Sequence, residues 1–162
     1  MKEFLDRLSS YNLFTNFLPG ILFALIAQYI TSYRLLQDNI LVALFEYYFI
    51  GLVISRFGSL MVEPLLKKVS FLKFAKYEEF VAASHKDQKL DLLSEVNNTY
   101  RSICSMCVLL LLLKVWDLLV PQESNFRGAS IYVLIAIVLA FFLFSYRKQT
   151  NFIAKRVGGT KK

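Results

Sequence analysis

The sequence predicts an all-α integral membrane protein: a four-helix bundle with a helical cytoplasmic segment between its second and third spans. Of its 162 residues, 56% are hydrophobic and 19% are charged, whereas soluble domains are about 45–50% apolar and about 25% charged. The apolar residues also form long blocks and not the one-sided stripes of a soluble amphipathic helix. Because lipid offers the backbone no hydrogen bonds, such blocks must be helical.

Four blocks have the length of a spanning helix, about 17–25 mostly apolar residues. The predicted spans cover residues 13–33, 40–63, 102–120 and 129–147 of a single membrane domain, residues 1–162. Residues 13–33 and 128–146 contain no charge, whereas the second and third spans carry charges that must face protein or water. Leu90, Leu93, Val96 and Tyr100 stand at helical spacing, which predicts that the third helix begins before its membrane span.

Basic residues outside the spans predict the orientation, because Lys and Arg flanks remain cytoplasmic. The connecting segment, residues 64–101, carries seven of them, and the basic tail, residues 147–162, carries six and no acid. Both termini and this segment are therefore predicted to be cytoplasmic, with Tyr33 and Trp116 at the outer interface. The basic flanks suit anionic lipid headgroups. They lie beside the spans, so direct binding of nucleic acid is not expected.

Charged residues inside the spans are the strongest candidates for function. Counted at about 1.5 Å per residue from the outer helix ends, Glu46 and Lys114 both lie about 9 Å deep, so they are predicted to pair. Asp117 follows Lys114 on the same face. Three further polar residues of the second span, Arg56, Ser59 and Glu63, are predicted to share one face of its α-helix. Two interpretations stay open: a polar network that fixes the bundle, or the lining of an ion or solute path.

A row of small residues runs beside Arg56 in the second span. Gly51, Ser55 and Gly58 follow one another at helical spacing. Small residues let membrane helices approach closely, so this row predicts a helix-packing face.

The sequence carries no conventional enzyme motif. It has no phosphate-binding glycine loop, no G-x-S-x-G and no H-E-x-x-H. His85 is the only histidine and is predicted to lie in a solvated turn. Cys104 and Cys107 cannot complete a tetrahedral metal site by themselves and are predicted to be packing residues, with palmitoylation or a site shared between subunits as alternatives. No catalytic residue, cofactor or metal is therefore predicted.

Two stretches, "YNLFTNFLPGILF" and "YYFIGLVISRFGSLMVEPLLKK", resemble small four-span membrane proteins that accompany bacterial anti-phage systems. These are the accessory proteins of type VI CRISPR loci and of adenosine-deaminase (RADAR) defence loci. The resemblance covers the first two spans and assigns no residue a role. It implies a homo-oligomeric inner-membrane protein that aids defence by altering membrane permeability, in concert with a cytosolic defence partner. A membrane scaffold that anchors a soluble partner, or a small transporter or channel subunit, is the alternative.

Overall fold

The computed structural model describes residues 12–84, 86–87, 89–121 and 124–159, with the backbone alone at 125–127, 156 and 158–159. Within these residues the chain is helical and contains no strand, so the all-α prediction is confirmed. Four helices are long and apolar enough to cross a membrane: Leu13–Ile30, Ile40–Lys68, Lys89–Leu119 and Gly128–Lys155. We number them spans 1 to 4.

Span 1 begins with a π-helical turn, Leu13–Phe17, and continues as the α-helix Leu18–Ile30. It ends three residues before the predicted boundary, because Thr31 adopts an extended backbone. The carbonyl of Ala27 accepts both the Thr31 hydroxyl at 2.6 Å and the Thr31 N–H at 2.9 Å, so Thr31 closes the helix end with two bonds to one carbonyl. Tyr33 consequently belongs to the connection and not to the helix.

Span 2 is the α-helix Ile40–Phe57, a π-helical turn Gly58–Val62 and the α-helix Glu63–Lys68. Asn39 caps its start, with Oδ1 accepting from the N–H groups of Leu41 at 3.0 Å and Val42 at 3.3 Å. Such a cap satisfies donors of the first helical turn. The helix continues beyond the predicted span boundary at residue 63, through Pro64 to Lys68.

The π-helical turns explain how prolines stand inside both helices. In a regular α-helix a proline ring clashes with the carbonyl four residues earlier. Glu63 donates its N–H to Gly58, five residues back, and Leu18 donates to Leu13 in the same way. A turn closed over five residues is wider, which leaves room for the rings of Pro64 and Pro19 that follow.

The connecting segment contains a short helix, Tyr77–Ser84. Span 3 is one helix, Lys89–Leu119, so the predicted extension of the third helix before its membrane span is confirmed. Span 4 lies within the helix Asn125–Gly159.

The chain divides into two compact units, the first ending at Leu118 and the second beginning at Leu119. In the first unit spans 1 to 3 meet around a core of Ala27, Ile54, Met106 and Leu110. Most other buried residues there are small: Gly20, Ala24, Ala43, Gly51, Ser55, Gly58, Ser102 and Ser105. Small residues at helix contacts are typical of membrane bundles.

The second unit contains span 4. In its most apolar stretch only 6% of the residues are buried. Apolar side chains are exposed on every side of it, as Ile131, Ile137 and Leu143, about 120° apart around the helix, illustrate. A helix that is apolar all round needs lipid or protein around it.

Candidate functional site

Two polar clusters join the spans of the first unit. The Glu63 cluster comprises Thr15, Asn16, Glu63, Thr99, Arg101, Ser102 and Ser105. The Asp117 cluster comprises Ser32, Tyr33, Trp116 and Asp117. Each contains hydrogen bonds between residues far apart in the sequence. The first ties span 3 to spans 1 and 2, and the second ties span 3 to the connection after span 1.

The carboxylate of Glu63 is the charged centre of its cluster. Its Oε2 accepts from Nη1 of Arg101 in span 3 at 2.7 Å, and its Oε1 accepts from Nζ of Lys67 at 2.8 Å. The Glu63 and Arg101 side chains are only 13% and 19% exposed, whereas Lys67 is 44% exposed. The bond to Arg101 is therefore the less solvated of the two, and charge-assisted bonds of this length are among the stronger polar contacts.

The π-helical turn at Gly58–Val62 decides which partner Glu63 meets. In a continuous α-helix Arg56 and Glu63, seven residues apart, would share one face. A π-helical turn adds one residue to the turn and rotates everything after it by about 100° relative to an α-helix. Glu63 thereby leaves the face of Arg56 and reaches Arg101, so the predicted common face of Arg56 and Glu63 is wrong.

Buried hydroxyl groups extend the Glu63 cluster into the contacts between spans. Thr15 in span 1 and Thr99 in span 3 lie within hydrogen-bond distance, with 3.3 Å between their Oγ1 atoms. The Ser105 hydroxyl donates to the backbone carbonyl of Arg101 at 2.6 Å. Asn16, only 4% exposed, donates from Nδ2 to Oδ1 of Asn12 at 3.2 Å.

Three buried polar atoms of the Glu63 cluster have no hydrogen-bond partner in the structure: Asn16 Oδ1, Arg101 Nε and Ser102 Oγ. A buried polar group without a partner costs about 1–3 kcal/mol, and buried water commonly satisfies such groups. These atoms are accordingly the positions in spans 1 and 3 at which water or a polar solute would gain hydrogen bonds.

The row Gly51, Ser55 and Gly58 is buried, and it contacts both neighbouring spans. A Cβ atom on Gly51 would overlap the backbone carbonyl of Asn16 in span 1. A Cβ on Gly58 would meet the side chains of Ser105 and Arg101 in span 3. The two glycines thus allow close approach on opposite sides of the Glu63 cluster.

The Asp117 cluster closes the other end of spans 1 and 3. Asp117 accepts from the backbone N–H of Ser32 at 3.1 Å and also from the Ser32 hydroxyl. Next to it, Nε1 of Trp116 donates to the Tyr33 hydroxyl at 3.1 Å. Asp117, which was predicted to lie on the same face as Lys114, thus binds the connection after span 1.

Glu46, Arg56 and Lys114 behave differently from Glu63 and Asp117. All three are half-buried, yet among the residues that the structure describes none forms an ion pair or hydrogen bond with them. The predicted pairing of Glu46 with Lys114 within one chain is thus wrong. Arg56 lies about 160° around the helix from the buried Ile54, so it points away from the core. Ser59 is half-buried within the π-helical turn Gly58–Val62.

Sequence reasoning missed Arg101 and its hydroxyl neighbours. Arg101 was counted among the basic residues of the connecting segment, outside the third span. A signal was nevertheless present: Thr99, Ser102 and Ser105 recur every three residues in an otherwise apolar helix, which places them on one face. Polar residues at that spacing next to an arginine indicate a face directed toward protein.

The cysteines and the histidine add no site. Cys104 and Cys107 are exposed, so the prediction that they pack inside the bundle is wrong. His85 lies outside the described residues. Across 12–84, 86–87, 89–121 and 124–159 there is no group of three His, Cys, Asp or Glu residues able to hold a metal ion.

Comparison with protein-family models, curated proteins and solved structures finds no match to the chain.

Proposed function

We propose that this protein is a non-enzymatic, homo-oligomeric effector of a bacterial inner membrane that alters membrane permeability and serves anti-phage defence. One observation carries the permeability proposal. Glu46, Arg56 and Lys114 stand within apolar spans, half-buried and without a partner among the described residues. An arginine or lysine at the centre of a spanning helix costs at least about 2.5–3.5 kcal/mol when it faces lipid.

Other copies of the chain remove this cost. In an oligomer these charges would face a neighbouring copy or a hydrated path between copies, where water and opposite charges stabilise them. The exposed apolar surface of span 4 would be covered in the same assembly or by lipid. The basic connecting segment and tail support a cytoplasmic position for this end of spans 2 and 3, and a cytosolic defence partner would engage that basic face.

Liposomes test this proposal directly. Purified protein reconstituted into vesicles loaded with a potassium salt should raise ion efflux above that of empty vesicles. The substitution Arg56→Ala should change the ratio of anion to cation flux. Arg34→Ala, at an exposed arginine in the connection after span 1, is the matched control and should leave the ratio unchanged. Efflux equal to that of empty vesicles would contradict the proposal.

A membrane scaffold is the second candidate, and the Glu63 cluster favours it. Direct bonds from Glu63 to Arg101 and from Thr15 to Thr99 tie span 3 to spans 2 and 1, as expected of polar residues that fix a bundle. A scaffold would hold a soluble partner through the cytoplasmic connecting segment and leave vesicles sealed. Retention of a partner by wild-type protein, with no rise in efflux, would select this candidate.

A further inference from the structure

The end of span 2 and the residues directly after it combine exposed lysines with exposed aromatic side chains. We call residues 65–76 the Lys–Phe segment. It contains Lys67, Lys68, Lys73 and Lys76, and no acidic residue lies between Glu63 and Glu78. Phe71 is 76% exposed and Phe74 is 49% exposed. Aromatic side chains of this size are normally buried in a folded chain, so their exposure beside a membrane span needs an explanation.

The backbone holds this segment in a defined turn. After the helix Glu63–Lys68 the N–H of Ser70 bonds to the carbonyl of Lys67, and the N–H of Phe71 bonds to that of Leu66, both at 3.0 Å. Ser70 adopts a left-handed conformation with φ 58°. These bonds and this φ define a Schellman motif. Its usual apolar contact would bury Phe71 on Leu66, yet Phe71 remains mostly exposed.

Phe74 contacts the same helix end through Lys67. The ammonium of Lys67 lies 3.9 Å from the centre of the Phe74 ring, a cation–π contact, while it also binds Glu63. Lys68 and Lys73 are exposed and have no ion-pair partner among the described residues. The segment therefore presents two unpaired positive charges and two aromatic rings where span 2 ends.

We propose that the Lys–Phe segment is a binding site for anionic phospholipids, in which Lys68 and Lys73 bind the headgroup phosphates and Phe71 enters the acyl-chain boundary. Aromatic residues accumulate at this depth of a bilayer, and lysines next to a span attract anionic lipid. The occupant is lipid because the segment continues directly from a spanning helix. The inference rests on the membrane placement of span 2 and not on the proposed change in permeability.

Fluorescence quenching in nanodiscs tests the site. The chain has one tryptophan, so Trp116→Phe with Phe71→Trp places a single reporter in the segment. Two nanodisc preparations contain phosphatidylcholine and phosphatidylglycerol at equal mole fractions. In one preparation the phosphatidylcholine carries bromine on its acyl chains, and in the other the phosphatidylglycerol does. Brominated phosphatidylglycerol should quench the reporter at least about twofold more than brominated phosphatidylcholine, and added salt should lower this ratio.

Two lysine variants separate the site from general attraction by charge. Lys68→Gln with Lys73→Gln should bring the quenching ratio close to one, whereas Lys86→Gln with Lys89→Gln removes the same charge from the same connecting segment and should preserve it. Both leave Lys67 and Glu63 intact, and equal thermal midpoints in detergent verify folding. Equal quenching by the two lipids, or an equal loss in both lysine variants, would overturn the proposal. No quenching by either lipid would also overturn it, and this is the result expected if the segment binds an acidic protein and not lipid.

Discussion

Arg101 in span 3 donates from Nη1 to the Glu63 carboxylate of span 2 across 2.7 Å, although 38 positions separate them in the sequence. Glu63 is the last charged residue before Pro64, and Arg101 is the first basic residue of the apolar part of span 3. The bond therefore joins the two ends of the long connecting segment. Its strength decides how firmly spans 2 and 3 hold together.

The first prediction concerns this ion pair. Glu63→Gln leaves Arg101 without a carboxylate in a place where it is 19% exposed, so we expect a loss of about 1.5–3 kcal/mol in the free energy of unfolding. Unfolding in mixed detergent micelles, followed by circular dichroism, measures it. Glu79→Gln removes a carboxylate that is 64% exposed and 4.0 Å from Lys76, and its effect should stay within about 0.5 kcal/mol. Equal losses in both variants would refute a specific role for the pair.

The second prediction concerns close approach at Gly51. Gly51→Ala places a methyl group against the rigid backbone carbonyl of Asn16, so spans 1 and 2 must separate, and we expect a loss of about 1–3 kcal/mol. Gly58→Ala meets movable side chains and should lose less. Gly128→Ala, where no atom lies within 4 Å, is the control. The same unfolding assay ranks the three, and a Gly51 variant as stable as the Gly128 variant would contradict the described packing.

A third prediction follows from the unpaired charges. If copies associate as proposed, Glu46 of one copy should approach Lys114 of another, because these opposite charges lie at similar depth and stabilise each other within the membrane. Cys104→Ser with Cys107→Ser provides a background without cysteine. Mixing a tagged Glu46→Cys chain with an untagged Lys114→Cys chain should then yield an oxidised dimer on a non-reducing gel. Arg34→Cys in place of Glu46→Cys is the control, and equal dimer yields would argue against the contact.

The fourth prediction concerns orientation. Topology reporters fused after Lys86 and after Lys162 should both report the cytoplasm, and a reporter at Gln122 should report the opposite side, since basic flanks remain inside. Enzymatic reporters active on one side only, compared at equal expression, measure this. A signal from the outer side at Lys86 would reverse the assignment of the Glu63 cluster to the cytoplasm.

Apolar block length was sufficient to predict the four helices, because a span leaves a continuous signal in the sequence. Tyr33 and Trp116, predicted at one interface, are indeed hydrogen-bonded to each other. The partner of Glu63 was not predictable by the same reasoning, because helical spacing assumes about 100° per residue throughout. A π-helical turn breaks that assumption, and its only trace in the sequence is a proline inside an apolar helix. Arg101 was missed for a related reason, since its residue type suggested a solvated flank.

The π-helical turn at Gly58–Val62 gives span 2 one residue more than an α-helix of the same height would hold. Gly51 lies before this turn and faces span 1, whereas Glu63 follows the turn and faces span 3. The turn therefore sets the angle around the helix between these two contacts. Deleting Leu60 removes that extra residue, and six residues of regular α-helix turn Glu63 about 600° from Arg56, the direction it already has. The deletion should therefore keep Glu63 directed toward Arg101 while it crowds Pro64 against the preceding turn. With all residues kept, a change from the five-residue turn to a four-residue turn would instead rotate the end that carries Glu63 by about 100°, while the end that carries Gly51 stays still.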